Sequence, residues 1–183
     1  MTKSEIRKIN LAKRREIKNK EVLNAKILEN ILSLSFFKEA KTVMTYVSYN
    51  DEPDTLALID VLLKNKKRVC SPVCFENSEM KAFAFNNISE LKTSKMGILE
   101  PNQDVFISPE EIDLVIVPMC AFNERGHRIG YGKGFYDRYL PKTKAIKCGI
   151  CFEELKSDFN EDKLDSPLDY VITEKNIYCF NKK

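Results

Sequence analysis

Residues 113–140 read DLVIVPMCAFNERGHRIGYGKGFYDRYL, and this stretch decides the fold. Residues 113–118 are a short, continuous apolar run, which is typical of a parallel strand buried on both faces. Four of the chain's six glycines follow within nine positions: Gly126, Gly130, Gly132 and Gly134. A helix is predicted from about Phe135. The stretch therefore predicts a strand, a glycine-rich loop and a helix, with any ligand beyond the carboxyl end of the strand.

Strand and helix patterns alternate on both sides of this stretch. Residues 42–48, TVMTYVS, are rich in β-branched and aromatic residues and predict a strand. Asp51 and Pro53 then predict the start of a helix, which is expected to run through about Lys64. Residues 68–73 and 80–85 read as a β-hairpin, and 145–152 as another strand. We therefore predict an α/β fold, a three-layer Rossmann-like single domain over 1–183, with a mostly parallel sheet and helices on both faces. The helical, basic segment 3–33 is expected to pack on it.

The composition suits one compact domain and does not favour disorder. The chain has 183 residues, of which 43% are hydrophobic and 31% charged. No run approaches the ~18 apolar residues that a membrane span needs, and the first ten residues, MTKSEIRKIN, lack an apolar signal-peptide core. We therefore expect a cytoplasmic protein with no membrane partner.

The positive charge is concentrated at the N-terminus. Residues 2–20 carry eight Lys or Arg against Glu5 and Glu16, a balance of +6, which leaves residues 21–183 at −3 because the whole chain is +3. Such a segment could contact nucleic acid or an anionic lipid. The alternative is a solvated helix face with Ile6, Ile9 and Ile17 packed inward. Composition alone leaves both interpretations open.

The six cysteines lie mostly in apolar, strand-like runs, which favours buried, reduced thiols. Cys148 and Cys151 form a C-x-x-C, so zinc binding or redox chemistry has to be weighed. No second C-x-x-C or Cys/His pair at ligand spacing accompanies it. The pair and His127, the one histidine, have no role that the spacing defines.

The glycine loop resembles a phosphate cradle without matching a standard motif. Lys133 is followed by Gly134 where a Walker A motif has Ser or Thr, and the third glycine comes too soon for a dinucleotide fingerprint. Exposed backbone N–H groups, Lys133, Arg128 and a helix N-terminus nevertheless suit a polyphosphate. Asp137 could bind Mg²⁺. A tight turn with solvated charges is the alternative.

The stretch from Pro118 onward resembles the signature of the 5-formyltetrahydrofolate cyclo-ligase family, also called methenyltetrahydrofolate synthetases: an apolar strand, Pro, Ala-Phe, then G-x-R-[LI]-G-x-G-[KG]-G-[YF]-Y-D. Further segments resemble the family in the same order: KSEIR (3–7), SYNDEPDT (48–55), GILEP (97–101) and DSPLD (165–169). The resemblance covers the chain end to end. Departures are mild: Phe135 stands where Tyr is common, Tyr131 occupies a variable position, and His127 has no fixed counterpart.

The resemblance implies an enzyme that cyclises 5-formyltetrahydrofolate to 5,10-methenyltetrahydrofolate with MgATP and releases ADP and phosphate. The implied ATP-binding residues are Lys3, Ser4, Glu5, Ile6, Arg7, Arg128, Ile129, Gly130, Tyr131, Gly132, Lys133, Gly134, Phe135 and Tyr136. The implied folate-binding residues are Val47, Glu52 and Tyr136, and the implied Mg²⁺ ligands are Asp137 and Asp165. Lys133 and Arg128 are the expected catalytic residues. The folate could carry a polyglutamate tail, and we expect a monomer that binds no nucleic acid.

This chemistry explains the residue types. A formamide oxygen is a very poor leaving group, whereas a phosphorylated one leaves as phosphate when N10 attacks the formyl carbon. Phosphoryl transfer asks a protein mainly for positioning and charge neutralisation, so no covalent nucleophile is needed. Two alternatives stay open. One is a paralogue that acts on another formylated amine, as in salvage of thiamine breakdown products. The other is a nucleic-acid binder that uses the basic helix and the Tyr/Lys/Arg loop.

Overall fold

The structure is a computed structural model that describes residues 1–180, and residues 181–183 of the predicted domain lie outside it. The helices are α1 Lys3–Glu16, α2 Lys20–Ser33, α3 Ser35–Glu39, α4 Leu56–Lys64 and α5 Phe135–Tyr139. The strands are β1 Thr42–Thr45, β2 Arg68–Cys74, β3 Met80–Phe85, β4 Lys92–Thr93, β5 Leu99–Glu100, β6 Phe106–Ile107, β7 Leu114–Val117, β8 Ala121–Phe122, β9 Arg128–Ile129, β10 Ile146–Ile150, β11 Tyr170–Ile172 and β12 Ile177–Cys179. Short 3₁₀ turns cover Ile88–Glu90, Pro109–Glu111, Leu140–Lys142 and Glu153–Leu155.

An eight-stranded sheet in the order β12-β11-β10-β7-β1-β2-β3-β6 forms the centre of the molecule. The five strands from β11 to β2 run parallel, and β12, β3 and β6 are antiparallel additions at the edges. All four residues of β7 are fully buried, because β1 and β10 flank the strand and both sheet faces are covered. The predicted mostly parallel α/β sheet and the predicted doubly buried strand are confirmed.

The chain leaves β1 and β7 in opposite directions, and this positions the site. The crossover from β1 through α4 leads to β2, whereas the crossover from β7 through α5 leads to β10 on the other side. A crevice opens beyond the carboxyl ends of β1 and β7 at such a reversal, which is where open α/β sheets bind ligands.

Helix α1 begins at a capping box, in which the Thr2 side chain accepts a hydrogen bond from the Glu5 N–H and the Glu5 carboxylate accepts one from the Thr2 N–H. The segment 3–33 contains two helices, because Asn19 adopts a left-handed φ of 55° between them. Ile6 is buried, but Ile9 is 41% exposed, so the expectation that it packs inward is wrong. The buried face of α1 is partly polar, with Asn10 donating to the carbonyl of Leu155 at 2.8 Å.

Helix α4 begins at Leu56, several residues later than the predicted start at Asp51 and Pro53. The intervening residues form a turn in which the Glu52 carboxylate accepts a hydrogen bond from the Tyr49 N–H at 2.9 Å. Thr55 completes the turn, since its hydroxyl accepts from the Ser48 N–H at 2.8 Å. These local hydrogen bonds compete with helix formation. They also keep Glu52 beside the crevice.

Four of the six cysteines are buried as expected, but Cys74 and Cys179 are exposed. Cys179 lies on the edge strand β12, and Cys74 is the last residue of β2. No helix within residues 1–180 is long and apolar enough to cross a membrane.

Candidate active site

A cleft of about 660 Å³ opens beyond the carboxyl ends of β1 and β7. Tyr46 and Val47 follow β1 and Pro118 follows β7, and all three line the cleft. One wall is α1, which contributes Lys3, Arg7, Leu11, Arg14 and Arg15. The loop 130–134, which Arg7 of α1 contacts, and the start of α5 also line the cleft. The cleft therefore brings together segments that lie more than 120 residues apart in the sequence.

The glycine loop needs glycine at two positions for its backbone conformation. Gly132 has φ +92°, and a Cβ there would lie 3.3 Å from Cζ of Arg7. Gly134 has φ +66° at the position before α5, and a Cβ there would lie 2.7 Å from Nη1 of Arg138. A left-handed backbone costs little only for glycine. The loop is thus shaped to bring its main chain against the guanidinium groups of Arg7 and Arg138.

Two of the four cations that were predicted for the cleft, Arg7 and Lys133, have no carboxylate partner among residues 1–180. Arg7 Nε donates to the carbonyl of Gly130 at 2.7 Å and forms no ion pair in that part of the chain. Lys133 is exposed, and its Nζ lies 3.7 Å from Sδ of Met96. A cleft with positive charges that no protein carboxylate neutralises attracts an anionic ligand.

The other two predicted cations are paired with the predicted metal ligands. Arg128, 5% exposed, donates from Nη2 to Oδ1 of Asp137 at 2.9 Å. Lys3 donates to Asp165 over a short contact and to Asp162 at 2.7 Å. Burial works against the Lys3 ammonium, but its hydrogen bonds to both aspartates outweigh this effect and raise the pKa of Lys3. In the absence of ligands, these cations therefore stabilise carboxylates.

The donor set fits Mg²⁺. The hydrogen bonds to the Asp137 carboxylate, from Arg128 and from the Ser166 N–H, both reach Oδ1, and those to the Asp165 carboxylate, from Lys3 and from the Asp162 N–H, both reach Oδ2. Each carboxylate thus keeps one oxygen free of described hydrogen bonds. No cluster of three or more His, Cys, Asp or Glu at metal-binding distance occurs within residues 1–180. Mg²⁺ binds through one or two carboxylates, waters and substrate phosphates, so it needs no such cluster.

Glu52 lies in the turn after β1, lines the cleft and is half-buried. Its Oε1 accepts a short hydrogen bond from the Tyr131 hydroxyl, and its Oε2 accepts one from the Tyr49 N–H. Burial raises the pKa of Glu52, although Tyr131, Tyr49 and Arg14 partly oppose this shift. Val47 and Tyr136 line the same cleft, and the buried Tyr136 hydroxyl has no hydrogen-bond partner among the described residues. A planar polar ligand could bind between these groups.

Three residues of the predicted ATP site point elsewhere. Ser4 is exposed, Glu5 completes the α1 capping box, and Ile6 packs in a small apolar cluster with Ile129 and Phe159, so none of the three lines the cleft. The reason is helical geometry, since residues 4–6 face away from the side that carries Lys3 and Arg7. His127 also lies outside the cleft.

The Cys148 and Cys151 thiols are fully buried in and beside β10, and burial raises the pKa of each. Neither forms a disulfide. This agrees with the interpretation as inert core thiols, since reactive cysteines need an accessible thiolate.

Two residues of the cleft were not singled out from the sequence. Arg14 lines the cleft seven residues after Arg7 on the same face of α1, and this spacing was the available signal. Asp162 pairs with Lys3 across 159 residues of sequence, and only the acidic composition around it could have indicated such a role.

Comparison with known proteins agrees with this geometry. The family model described as the 5-formyltetrahydrofolate cyclo-ligase family matches residues 1–174. The 5-formyltetrahydrofolate cyclo-ligase of Mycoplasma genitalium is 32% identical over 176 residues, which cover 93% of this chain and 96% of the relative. The Escherichia coli K12 protein of that name is 33% identical over 147 residues, covering 76% and 81%.

A solved structure extends the likeness to three dimensions. The NMR structure of Aquifex aeolicus 5,10-methenyltetrahydrofolate synthetase superposes with a TM-score of 0.88 at 33% identity, covering 100% of this chain and 95% of that one. The chain therefore belongs to the 5-formyltetrahydrofolate cyclo-ligase family and is an enzyme of that ATP-dependent family.

Proposed function

We propose that this cleft cyclises 5-formyltetrahydrofolate to 5,10-methenyltetrahydrofolate with ATP, releasing ADP and phosphate through a phosphorylated formyl oxygen. One observation carries the proposal: a single cleft contains a glycine loop, cations without a described carboxylate partner, and the half-buried carboxylate of Glu52, which accepts a hydrogen bond from Tyr131 of that loop. The loop and the cations suit a polyphosphate, and the carboxylate suits a ring that presents N–H donors. The cleft is lined by residues of one chain, and we propose a monomer as the active form.

The ATP side consists of the glycine loop, Arg7 and Lys133. Backbone N–H groups of residues 130–134 and the two side-chain cations would contact the phosphates. Lys133 supplies positive charge to the transferred γ-phosphoryl group. Its ammonium is exposed in the cleft and has no carboxylate partner among residues 1–180. Arg128 acts from a fixed position, since its pair with Asp137 holds the guanidinium in place. Preorganised charge of this kind stabilises a transition state without reorganisation cost.

Mg²⁺ would be held by Asp137 and Asp165, through the carboxylate oxygen that each keeps free of described hydrogen bonds. The metal would supply positive charge to the phosphate oxygens. Lys3 now pairs with Asp162 and Asp165. When ATP binds, its ammonium would be shared between these carboxylates and a phosphate.

The folate side consists of Glu52, Val47 and Tyr136. The ionised carboxylate of Glu52 accepts hydrogen bonds from the N–H edge of the pterin ring, and Val47 and the Tyr136 ring contact the faces of that ring. Because Glu52 is half-buried and the bound ring would exclude further water, these hydrogen bonds are stronger than they would be at the open surface. They orient the N5-formyl group towards the phosphate side.

The reaction then needs positioning more than covalent chemistry. The formyl oxygen attacks the γ-phosphorus of ATP, the bond to the β-phosphate oxygen breaks, and ADP leaves. N10 attacks the formyl carbon, the N10 proton is lost, and the C–O bond breaks with phosphate as the leaving group. The product carries the N5=C–N10 cation of methenyltetrahydrofolate. The cations along the cleft offset the charge that moves in the first step.

Nucleic-acid binding receives less support, because part of the N-terminal charge faces the cleft and not the outer surface. Lys3, Arg7 and Arg14 face the cleft, and Lys3 is ion-paired there. A paralogous substrate is also disfavoured, since the relatives compared here are named for folate substrates.

Isotope transfer tests the proposal. The enzyme is given MgATP and 5-formyltetrahydrofolate that carries ¹⁸O in the formyl group, and the released phosphate is analysed by mass spectrometry. We expect one ¹⁸O atom in each phosphate formed. Methenyltetrahydrofolate produced with unlabelled phosphate would rule out the phosphorylated formyl oxygen, and no methenyltetrahydrofolate at all would rule out the reaction.

A further inference from the structure

Arg14 is a buried arginine without a full set of hydrogen-bond partners. It is 5% exposed and lines the cleft, yet its Nε has no partner among the described residues. Nη1 makes one long contact of 3.4 Å, to the carbonyl of Met119. A buried donor left without a partner costs stability. Such a group in a binding cleft points to an acceptor that the ligand supplies.

Tyr131 shows what shape of ligand fits beside Arg14. The Tyr131 ring lies 5.7 Å below the Arg14 guanidinium, and its hydroxyl donates to Oε1 of Glu52. An aromatic ring under a guanidinium with a donor on a carboxylate has the interactions that a pterin ring would make. Tyr131 covers Arg14 and Glu52. It is itself 46% exposed, so packing in the hydrophobic core does not hold it there.

We propose that Arg14 is a specificity-determining residue that, with Glu52, forms the subsite for the pterin ring, and that Tyr131 occupies this subsite until the folate displaces it. The inference rests on the proposed function. The pterin presents two N–H donors, N3–H and the 2-amino group, next to one acceptor, the carbonyl O4. Glu52 accepts from the donors, and Arg14 donates its unused Nε–H to O4. The pair thus recognises the whole donor–donor–acceptor edge.

Electrostatics in the subsite agree with this pairing. Burial works against the charge of Arg14, but Tyr131 and Glu52 outweigh it and raise its pKa, so the guanidinium is charged in the cleft. Glu52 lies near enough to favour the charge of Arg14, so a neutral acceptor such as a ring carbonyl is enough for the Nε–H donor and a second anion is not needed. Displacing Tyr131 also moves the residue between Gly130 and Gly132, which links folate binding to the ATP loop.

Calorimetric titration of 5-formyltetrahydrofolate without ATP tests the inference. We expect Arg14→Met to raise the Kd for the folate by about 10- to 100-fold, the range for losing a hydrogen bond from a charged group, and to leave MgATP affinity within twofold. Lys13→Met is the matched control, because it removes the same charge from the neighbouring, exposed position of α1 and is expected to change neither affinity. Tyr131→Phe keeps the ring but frees Glu52, so the folate should bind about 2- to 10-fold more tightly.

An unchanged folate Kd in a folded Arg14→Met variant would overturn the inference, as would weaker folate binding by Tyr131→Phe. If Arg14→Met does not fold, Arg14→Lys replaces it, since lysine keeps the charge but has no Nε–H donor at that place. Glu52→Gln separates the two proposals. Weaker folate binding by Glu52→Gln with normal binding by Arg14→Met would refute only the role of Arg14, whereas a wild-type enzyme that does not bind the folate would refute the proposed function.

Discussion

Replacing Gly130 with alanine separates a nucleotide-binding loop from a mere tight turn. A Cβ at Gly130 would have no heavy atom within 4 Å, and its φ lies outside the left-handed range. The ligand-free chain therefore has room for the methyl group, and Gly→Ala at such a position stabilises a protein by about 0.4–1 kcal/mol. Gly132 is different, because its φ is +92° and its added Cβ would contact the Arg7 guanidinium.

ATP changes this comparison if its phosphates lie against the loop. A methyl group at Gly130 then stands between backbone and phosphate, and overpacking of that size costs about 1–3 kcal/mol. We expect Gly130→Ala to raise the Kd for MgATP by about 5- to 150-fold while the Tm is unchanged or a few degrees higher. Gly132→Ala should weaken MgATP binding too, but with a lower Tm, because an alanine at positive φ costs about 1–3 kcal/mol.

Calorimetric titration with MgATP and scanning calorimetry of both variants give the two quantities. The tight-turn interpretation predicts that Gly130→Ala changes neither, and that Gly132→Ala affects binding only as far as it affects the Tm. An unchanged MgATP Kd in Gly130→Ala would therefore show that the glycines are not needed for the phosphates of ATP to lie against the loop backbone.

Three further variants test the assigned roles. Lys133→Ala should lower kcat about 10²-fold with folate binding unchanged in the absence of ATP, and an unchanged kcat would mean that the ammonium is only solvated. Glu52→Gln should weaken folate binding by about 1–3 kcal/mol and spare MgATP, whereas equal loss of both ligands in calorimetry would indicate misfolding. Because burial raises the Glu52 pKa, wild-type folate affinity should fall as pH drops through that raised pKa, and titrations of Glu52→Gln over the same range should show no such step. Asp137→Asn should raise the Mg²⁺ concentration for half-maximal rate and lower the Tm, since buried Arg128 loses its ion pair; an unchanged Mg²⁺ requirement would remove Asp137 from the metal site.

The sheet could be predicted largely from local pattern. The run at 113–118 is apolar without alternation, which only a strand covered on both faces tolerates, and β7 is that strand. The hairpin of β2 and β3 likewise follows from two β-rich runs. The start of α4 could not be predicted, because Asp51 and Pro53 are typical of a helix start but here belong to a turn that Glu52 and Thr55 stabilise.

Local pattern could predict the site only where its residues are neighbours in sequence, whereas distant residues such as Lys3 and Glu52 were expected only because of the family resemblance. Residues 128–137 were recognised together, and the structure keeps them together along the cleft, apart from the inward-facing Ile129 side chain. The pairs that set the electrostatics are distant in sequence, with Lys3 joined to Asp162 and Tyr131 joined to Glu52. Such pairs depend on how α1 and the turn after β1 pack, which no local pattern encodes. In the sequence, Arg14 is only one of eight basic residues near the N-terminus. The packing of α1 buries it and places it in the wall of the cleft.

Absorbance in the near ultraviolet is the direct test of ATP-dependent cyclisation of 5-formyltetrahydrofolate. Enzyme, MgATP and 5-formyltetrahydrofolate are mixed, and the methenyltetrahydrofolate absorbance is followed while ADP is measured in the same samples. We expect the absorbance to rise only when ATP is present, with one ADP formed for each methenyltetrahydrofolate. Absorbance that rises without ATP, or ATP hydrolysis without methenyltetrahydrofolate, would contradict this expectation.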